Sequence, residues 1–129
     1  MSGARAHLNG YMEVAPKTGS LRTREKVIGS GHLHIEWATP SVVTGTGQGR
    51  GNSGVYFGSR YEIQILDSFG LKPEMGDCGS IYGVAITKKN SCLPPLRWQT
   101  YDVIYRAPRK KGDGTFEPAK MTVFHNGVK

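Results

Sequence analysis

The stretch RYEIQILDS at residues 60–68 holds the chain's most readable chemistry. Strand alternation puts Tyr61, Ile63 and Ile65 on one face and Arg60, Glu62 and Gln64 on the other, so a cation, a carboxylate and an amide stand in a row. Asp67 lies five positions beyond Glu62, so a regular strand turns it to the apolar face. A single bulge after Gln64 would return it to the side of Glu62. Two carboxylates on one groove are the minimum for glycosidic chemistry, one to protonate the leaving oxygen and one to activate water or attack. Glu62 and Asp67 are therefore the expected catalytic pair, with Asn52, from the NSG just upstream, and Gln64 holding hydroxyls. A lone acidic strand residue would read as ordinary solvated surface; the NSG, the shared face and Asp67 favour function.

The segment HLHIEW at 32–37 repeats the pattern, with Leu33, Ile35 and Trp37 alternating with His32, His34 and Glu36. Two imidazoles and a carboxylate on one face suit a divalent metal or a proton relay. No third ligand lies within sequence reach, so a metal is the lesser reading. His125 and Asn126 could join the same groove only through the fold. Aromatic rings on which a sugar can stack are Tyr56, Tyr61, Tyr82, Trp98 and Tyr101. Most read as core; Tyr56 alternates onto the polar face with Asn52, and Trp98, after a Pro-Pro turn, reads first as a packing anchor.

The elements that must position these groups are strands. Apolar and polar residues alternate in short runs at 11–14, 32–37, 54–57, 61–66, 80–85, 100–105 and 121–125, separated by turn formers and with almost nothing at helical spacing. Seven such runs in 129 residues predict one all-β domain, 1–129, built as a jelly-roll β-sandwich of two antiparallel sheets. The glycine-dense TGTGQGRGNSG at 44–54 lacks the frame of a phosphate-binding loop. It reads as a mobile loop, or as backbone that must pass close to a ligand.

Seventeen Lys and Arg against ten Asp and Glu give a formal charge of +7, but the cations fall in separate short groups with no nucleic-acid-binding motif among them. A solvated basic surface is expected, with no nucleic acid as partner. No apolar run is long enough for a membrane span, and no secretory signal opens the chain. The even pair Cys78 and Cys92 predicts one disulfide, which would close a short loop and stabilise it by about 3 kcal/mol. A disulfide implies an exported protein, secreted or periplasmic.

HLHIEW, GQGRGNSGVYFGSRYEIQILDS, GDCGSIYG, PPLRWQTYDV and FHNGV occur in the order and spacing of one family. Over nearly its whole length the chain resembles the 3-keto-disaccharide hydrolase domain family, whose concanavalin A-like jelly roll is related to family 16 glycoside hydrolases. The resemblance implies a carbohydrate-active domain, commonly exported, acting on an oligosaccharide or glycoside. Some relatives cleave 3-keto-glycosides by elimination and some use a divalent metal, so a metal is the one cofactor it admits. Its motif positions fall on Glu36, Asn52, Ser53, Tyr61, Glu62, Gln64, Asp67, Tyr82 and Trp98. His34, Tyr56 and Arg60 join the expected substrate-binding set from the polar faces. An amide at Gln64 replaces the middle carboxylate of the family 16 strand, which speaks against retaining double displacement. Relatives usually carry further strands at both ends, so this domain is expected to be shortened, with exposed edges that pair two copies into a homodimer. The expectation is a glycoside hydrolase-type enzyme; a lectin-like binding module without catalysis is the alternative.

Overall fold

The computed structural model describes residues 4–6, 9–26 and 29–129. In chain order these form β1 (Ala4–Ala6), β2 (Met12–Val14), β3 (Gly31–Trp37), a 3-10 turn (Gly47–Gly49), β4 (Asn52–Phe57), β5 (Tyr61–Leu66), β6 (Gln99–Arg106), β7 (Arg109–Lys110), β8 (Phe116–Glu117) and β9 (Lys120–His125). All pairings between them are antiparallel.

Alternation decides what each strand buries. Strands β3, β6 and β9 form one sheet in the order β3-β6-β9, and the β4–β5 hairpin lies against it as the second layer. The first sheet turns Leu33, Ile35, Trp37, Tyr101, Val103, Met121 and Val123 inward, where they meet Val55, Phe57, Ile63 and Ile65 of the hairpin, and Leu66 at the end of β5 is buried as well. The rings of Phe57 and Tyr105 approach to 5.4 Å across the layers. The Tyr101 hydroxyl donates a 2.6 Å hydrogen bond to the Gln64 carbonyl and sits 3.0 Å from Cys78 Sγ. The expected all-β sandwich is therefore what the chain builds.

The β4–β5 turn places Gly58 and Ser59 at φ 59° and 56°, with Arg60 N–H bonding back to the Phe57 carbonyl at 3.1 Å. Positive φ at both central residues matches the right-handed twist of the flanking strands, which sets the hairpin register.

Two expectations need correction. Residues 80–85 do not form a strand: Gly79 and Gly83 adopt φ 83° and 70°, and Ile81 N–H turns back to Ala85 O at 3.0 Å. This segment nevertheless extends the hairpin, through Gln64 N–H to Ser80 O (2.9 Å), Gly79 N–H to Gln64 O (3.1 Å) and Tyr82 N–H to Glu62 O (2.9 Å). The expected Cys78–Cys92 disulfide is absent, and both residues are buried free thiols. Burial, ahead of its interaction with Cys92, pushes the Cys78 thiol up, while interaction with Cys78 pulls the Cys92 thiol down.

Candidate functional site

The hairpin register pairs Tyr56 with Glu62, Gly54 with Gln64 and Asn52 with Leu66. Because Val55, Phe57, Ile63 and Ile65 pack inward, Asn52, Gly54, Tyr56, Glu62 and Gln64 form a strip on the opposite face. Glu62 lies across the neighbouring strand: a Cβ on Gly54 would overlap its carboxylate. Only glycine leaves that space. Tyr56 stands opposite Glu62 in the register, and its interaction with that carboxylate, together with partial burial, raises the phenol. Tyr82, 48% exposed, is held beside this pair by its backbone bond to Glu62.

The glycine-rich loop ends in the 3-10 turn that carries Gln48 into the strip. Gln48 Nε2 donates to the Gly76 carbonyl at 2.9 Å. Its Oε1 accepts from Gln64 Nε2 at 2.7 Å and from Asn52 Nδ2 at 3.1 Å, and its backbone carbonyl accepts from Asn52 Nδ2 at 3.0 Å. Gly76, at φ 89°, supplies the close wall: a Cβ there would stand 3.1 Å from Gln48 Nε2 and 3.2 Å from the Tyr82 ring. Gln64 is 1% exposed and its Oε1 has no hydrogen-bond partner among the described residues.

Other expected site residues lie elsewhere. The β4–β5 register runs unbroken from Phe57–Tyr61 to Asn52–Leu66, so no bulge follows Gln64. Asp67 keeps the parity of the core face, is 3% exposed, bonds through its N–H to Gly51 O at 2.9 Å, and presses electrostatically on Cys92. The structure does not unite it with Glu62 on the strip. His34 and Glu36 stand on the outer face of the three-stranded sheet, because Leu33, Ile35 and Trp37 take the inner one. Both layers of the sandwich separate them from Glu62. Asp102, the cross-strand partner of His34, meets His34 Nδ1 at 2.8 Å and His32 Nε2 at 3.3 Å. The His34–Asp102 hydrogen bond raises the imidazole and lowers the carboxyl. Trp98 is 53% exposed and packs edge-on against Tyr11 at 5.8 Å, while Arg60 lies over the Tyr61 ring at 5.6 Å. His125 is core, between Trp37 and Tyr101.

Sequence reasoning missed Gln48 and the need for Gly54. The available signal for Gln48 was an amide set between two glycines. Among the described residues no group of three or more His, Cys, Asp or Glu is placed to hold a metal ion.

A family model for the 3-keto-alpha-glucoside-1,2-lyase-like domain matches residues 3–129. No curated protein matches the chain. The fold superposes on the crystal structure of a putative glycosyl hydrolase from Parabacteroides distasonis with a TM-score of 0.86 and 37% sequence identity. The match covers 98% of this chain and 54% of that one, so the chain spans about half the length of the solved structure. The chain, matched along almost its whole length, belongs to the 3-keto-alpha-glucoside-1,2-lyase-like domain family.

Proposed function

We propose that the strip is the working surface of a glycoside-cleaving domain that acts on 3-keto-glucosides by elimination, with Glu62 as general base. A keto group at C3 acidifies the proton on C2, so one base suffices. Glu62 takes that proton, the C1–C2 double bond forms, and the C1–O bond breaks with its electron pair leaving on the aglycone oxygen. Tyr56, whose raised phenol keeps its proton in the resting site, delivers it to that oxygen. The proton on Glu62 then restores Tyr56. Atoms and charge balance without a nucleophile or a second carboxylate.

The observation that carries this reading is the single carboxylate on the strip. A two-carboxylate hydrolysis needs its partner group across the sugar, and the unbroken register directs Asp67 away. The name of the matching family supports the substrate class, and Asn52, Gln64 and Tyr82 are the groups that hold the sugar.

Glu62→Gln keeps the size and hydrogen bonding of the side chain and removes the base. Turnover of a 4-nitrophenyl 3-keto-α-glucoside is expected to fall by about 100-fold or more, with binding retained. Sugar binding in the parent chain with no turnover of this substrate would replace the enzyme reading by a lectin-like one.

A further inference from the structure

Away from the Glu62 strip, the three-stranded sheet ends in a pair of like charges. Arg106, the last residue of β6, stands directly opposite Lys120, the first of β9. Because Tyr101, Val103, Met121 and Val123 turn inward, both cations project from the outer face. Opposed residues of an antiparallel pair have Cβ atoms about 5 Å apart, where like charges repel. The β7–β8 hairpin brings two more charges to the same place, since Arg109 pairs with Glu117 in its register. Glu117 Oε2 accepts from Arg109 Nε at 2.6 Å and its Oε1 accepts from Lys120 Nζ at 3.0 Å. One carboxylate thereby holds two of the three cations, and Arg106 makes no hydrogen bond or ion pair among the described residues.

These four side chains and Ser30 line a groove of about 280 Å³. Ser30 Oγ accepts from the Ala107 N–H at 3.0 Å, which leaves its hydroxyl proton to donate. Arg109 commits only Nε, so its terminal N–H groups remain, as does the whole Arg106 guanidinium. Both Glu117 oxygens are taken, and three cations against one carboxylate leave the lining at +2. The free groups are donors around an uncompensated double positive charge.

We infer that this groove is a second binding site, which takes the dianionic oxygen cluster of a phosphate monoester or of inorganic phosphate. Such a group carries close to two negative charges at neutral pH and presents three acceptor oxygens, and a guanidinium fork matches two of them. A carboxylate or a sulfate ester supplies one charge and leaves the lining half compensated. The volume lies below the ~300 Å³ at which pockets for drug-sized ligands begin, so it suits one small group. Alternation turns Phe116, the partner of Lys110, away from the Arg109–Glu117 face, and no aromatic ring among the described residues lines the groove. Nucleic-acid bases therefore find no stacking platform there. Both layers of the sandwich separate the groove from Glu62, so this site stands whatever the strip binds.

The test is NMR titration of the parent chain, Arg106→Gln and Lys72→Gln with inorganic phosphate, glucose 6-phosphate and glucose 6-sulfate, at neutral pH and constant ionic strength. Lys72→Gln removes the same charge from an exposed residue outside the groove. In the parent chain, phosphate and glucose 6-phosphate are expected to give saturable shifts confined to the amides of Ser30, Arg106, Ala107, Arg109, Glu117 and Lys120. Arg106→Gln should weaken this binding by about tenfold, and Lys72→Gln by less than about twofold. Glucose 6-sulfate should bind about tenfold more weakly than glucose 6-phosphate. Tighter binding of glucose 6-phosphate than of phosphate identifies a phosphorylated sugar as the ligand, and equal binding identifies free phosphate. Arg106→Gln removes a repulsion, so its urea midpoint should not fall.

Equal weakening in Arg106→Gln and Lys72→Gln, or shifts spread over all the surface cations, reduces the groove to general basic attraction and overturns the proposal. Glucose 6-sulfate binding as tightly as glucose 6-phosphate overturns the match of charge. Tighter binding of a short oligothymidylate than of phosphate at the same amides makes the groove a nucleic-acid surface and overturns the proposal as well.

Discussion

The Glu62 carboxylate occupies the volume that a Cβ on Gly54 would fill, so two residues on paired strands share one side-chain space. This interlock explains why an NSG precedes the carboxylate strand. The glycine is needed for close approach, since its φ lies outside the left-handed region.

Gly54→Ala is expected to displace Glu62 from its place beside Tyr56. A shift of about 1 Å in a reacting group can cost about 100-fold in rate, so kcat/KM for the 3-keto-glucoside should fall by about that factor. The hairpin core is on the other face, and the urea midpoint should move little. Full activity in a folded Gly54→Ala variant would show that Glu62 is not the base.

Tyr101 ties the two layers together from the opposite side of the same strand. Its hydroxyl donates to Gln64 O at 2.6 Å, and Tyr101 itself is fully buried. Tyr101→Phe keeps the ring and removes this bond. Because Gly79 N–H still reaches the same carbonyl at 3.1 Å, a loss of about 1–2 kcal/mol in urea unfolding is expected. An unchanged midpoint would mean that the layers are held by apolar contact alone.

His125 makes stability depend on pH. Burial among Trp37, Tyr101 and Gln99 lowers its pKa from the ordinary 6.5 to about 4. Nε2 donates to Gln99 Oε1 at 2.9 Å and Nδ1 is buried without a partner among the described residues, so the ring is held neutral. The unfolded chain binds that proton first, so stability is fully present above about pH 6.5 and is lost as pH falls toward about 4. The loss is about 1–3 kcal/mol, and it should be visible between pH 6.5 and 5, before the carboxylates titrate. His34 works in the other direction, because its raised pKa contributes stability that is present below 6.5 and fades as pH rises through the folded value. A flat unfolding free energy over pH 6.5 to 5 would contradict the neutral, buried assignment of His125.

Much of the sandwich was legible because strand alternation is local. Leu33, Ile35 and Trp37, and likewise Ile63 and Ile65, declare a buried face by period alone. The runs at 54–57, 61–66, 100–105 and 121–125 coincide with β4, β5, β6 and β9 to within two residues. The run at 80–85 misled because its alternation is interrupted by glycines whose left-handed φ turns the chain back. Asp67 misled because a bulge is a property of the pairing partner as much as of the strand.

By itself, the sequence determined which residues alternate, which segments must turn, and that a carboxylate and an amide share the outward face of one strand, since each depends on neighbours in the chain. Tertiary structure alone decided which outward faces come together. Glu36 and His34 have the same local pattern as Glu62, yet the packing of Trp37 and Ile63 into a common core sends them to opposite sides of the molecule. Gln48 joins Asn52, Gln64 and Gly76 only because its loop and the segment at residue 76 close over the hairpin. Hydrogen bonds between residues 16 and 28 positions apart depend on distance in space, which no pattern along the chain encodes.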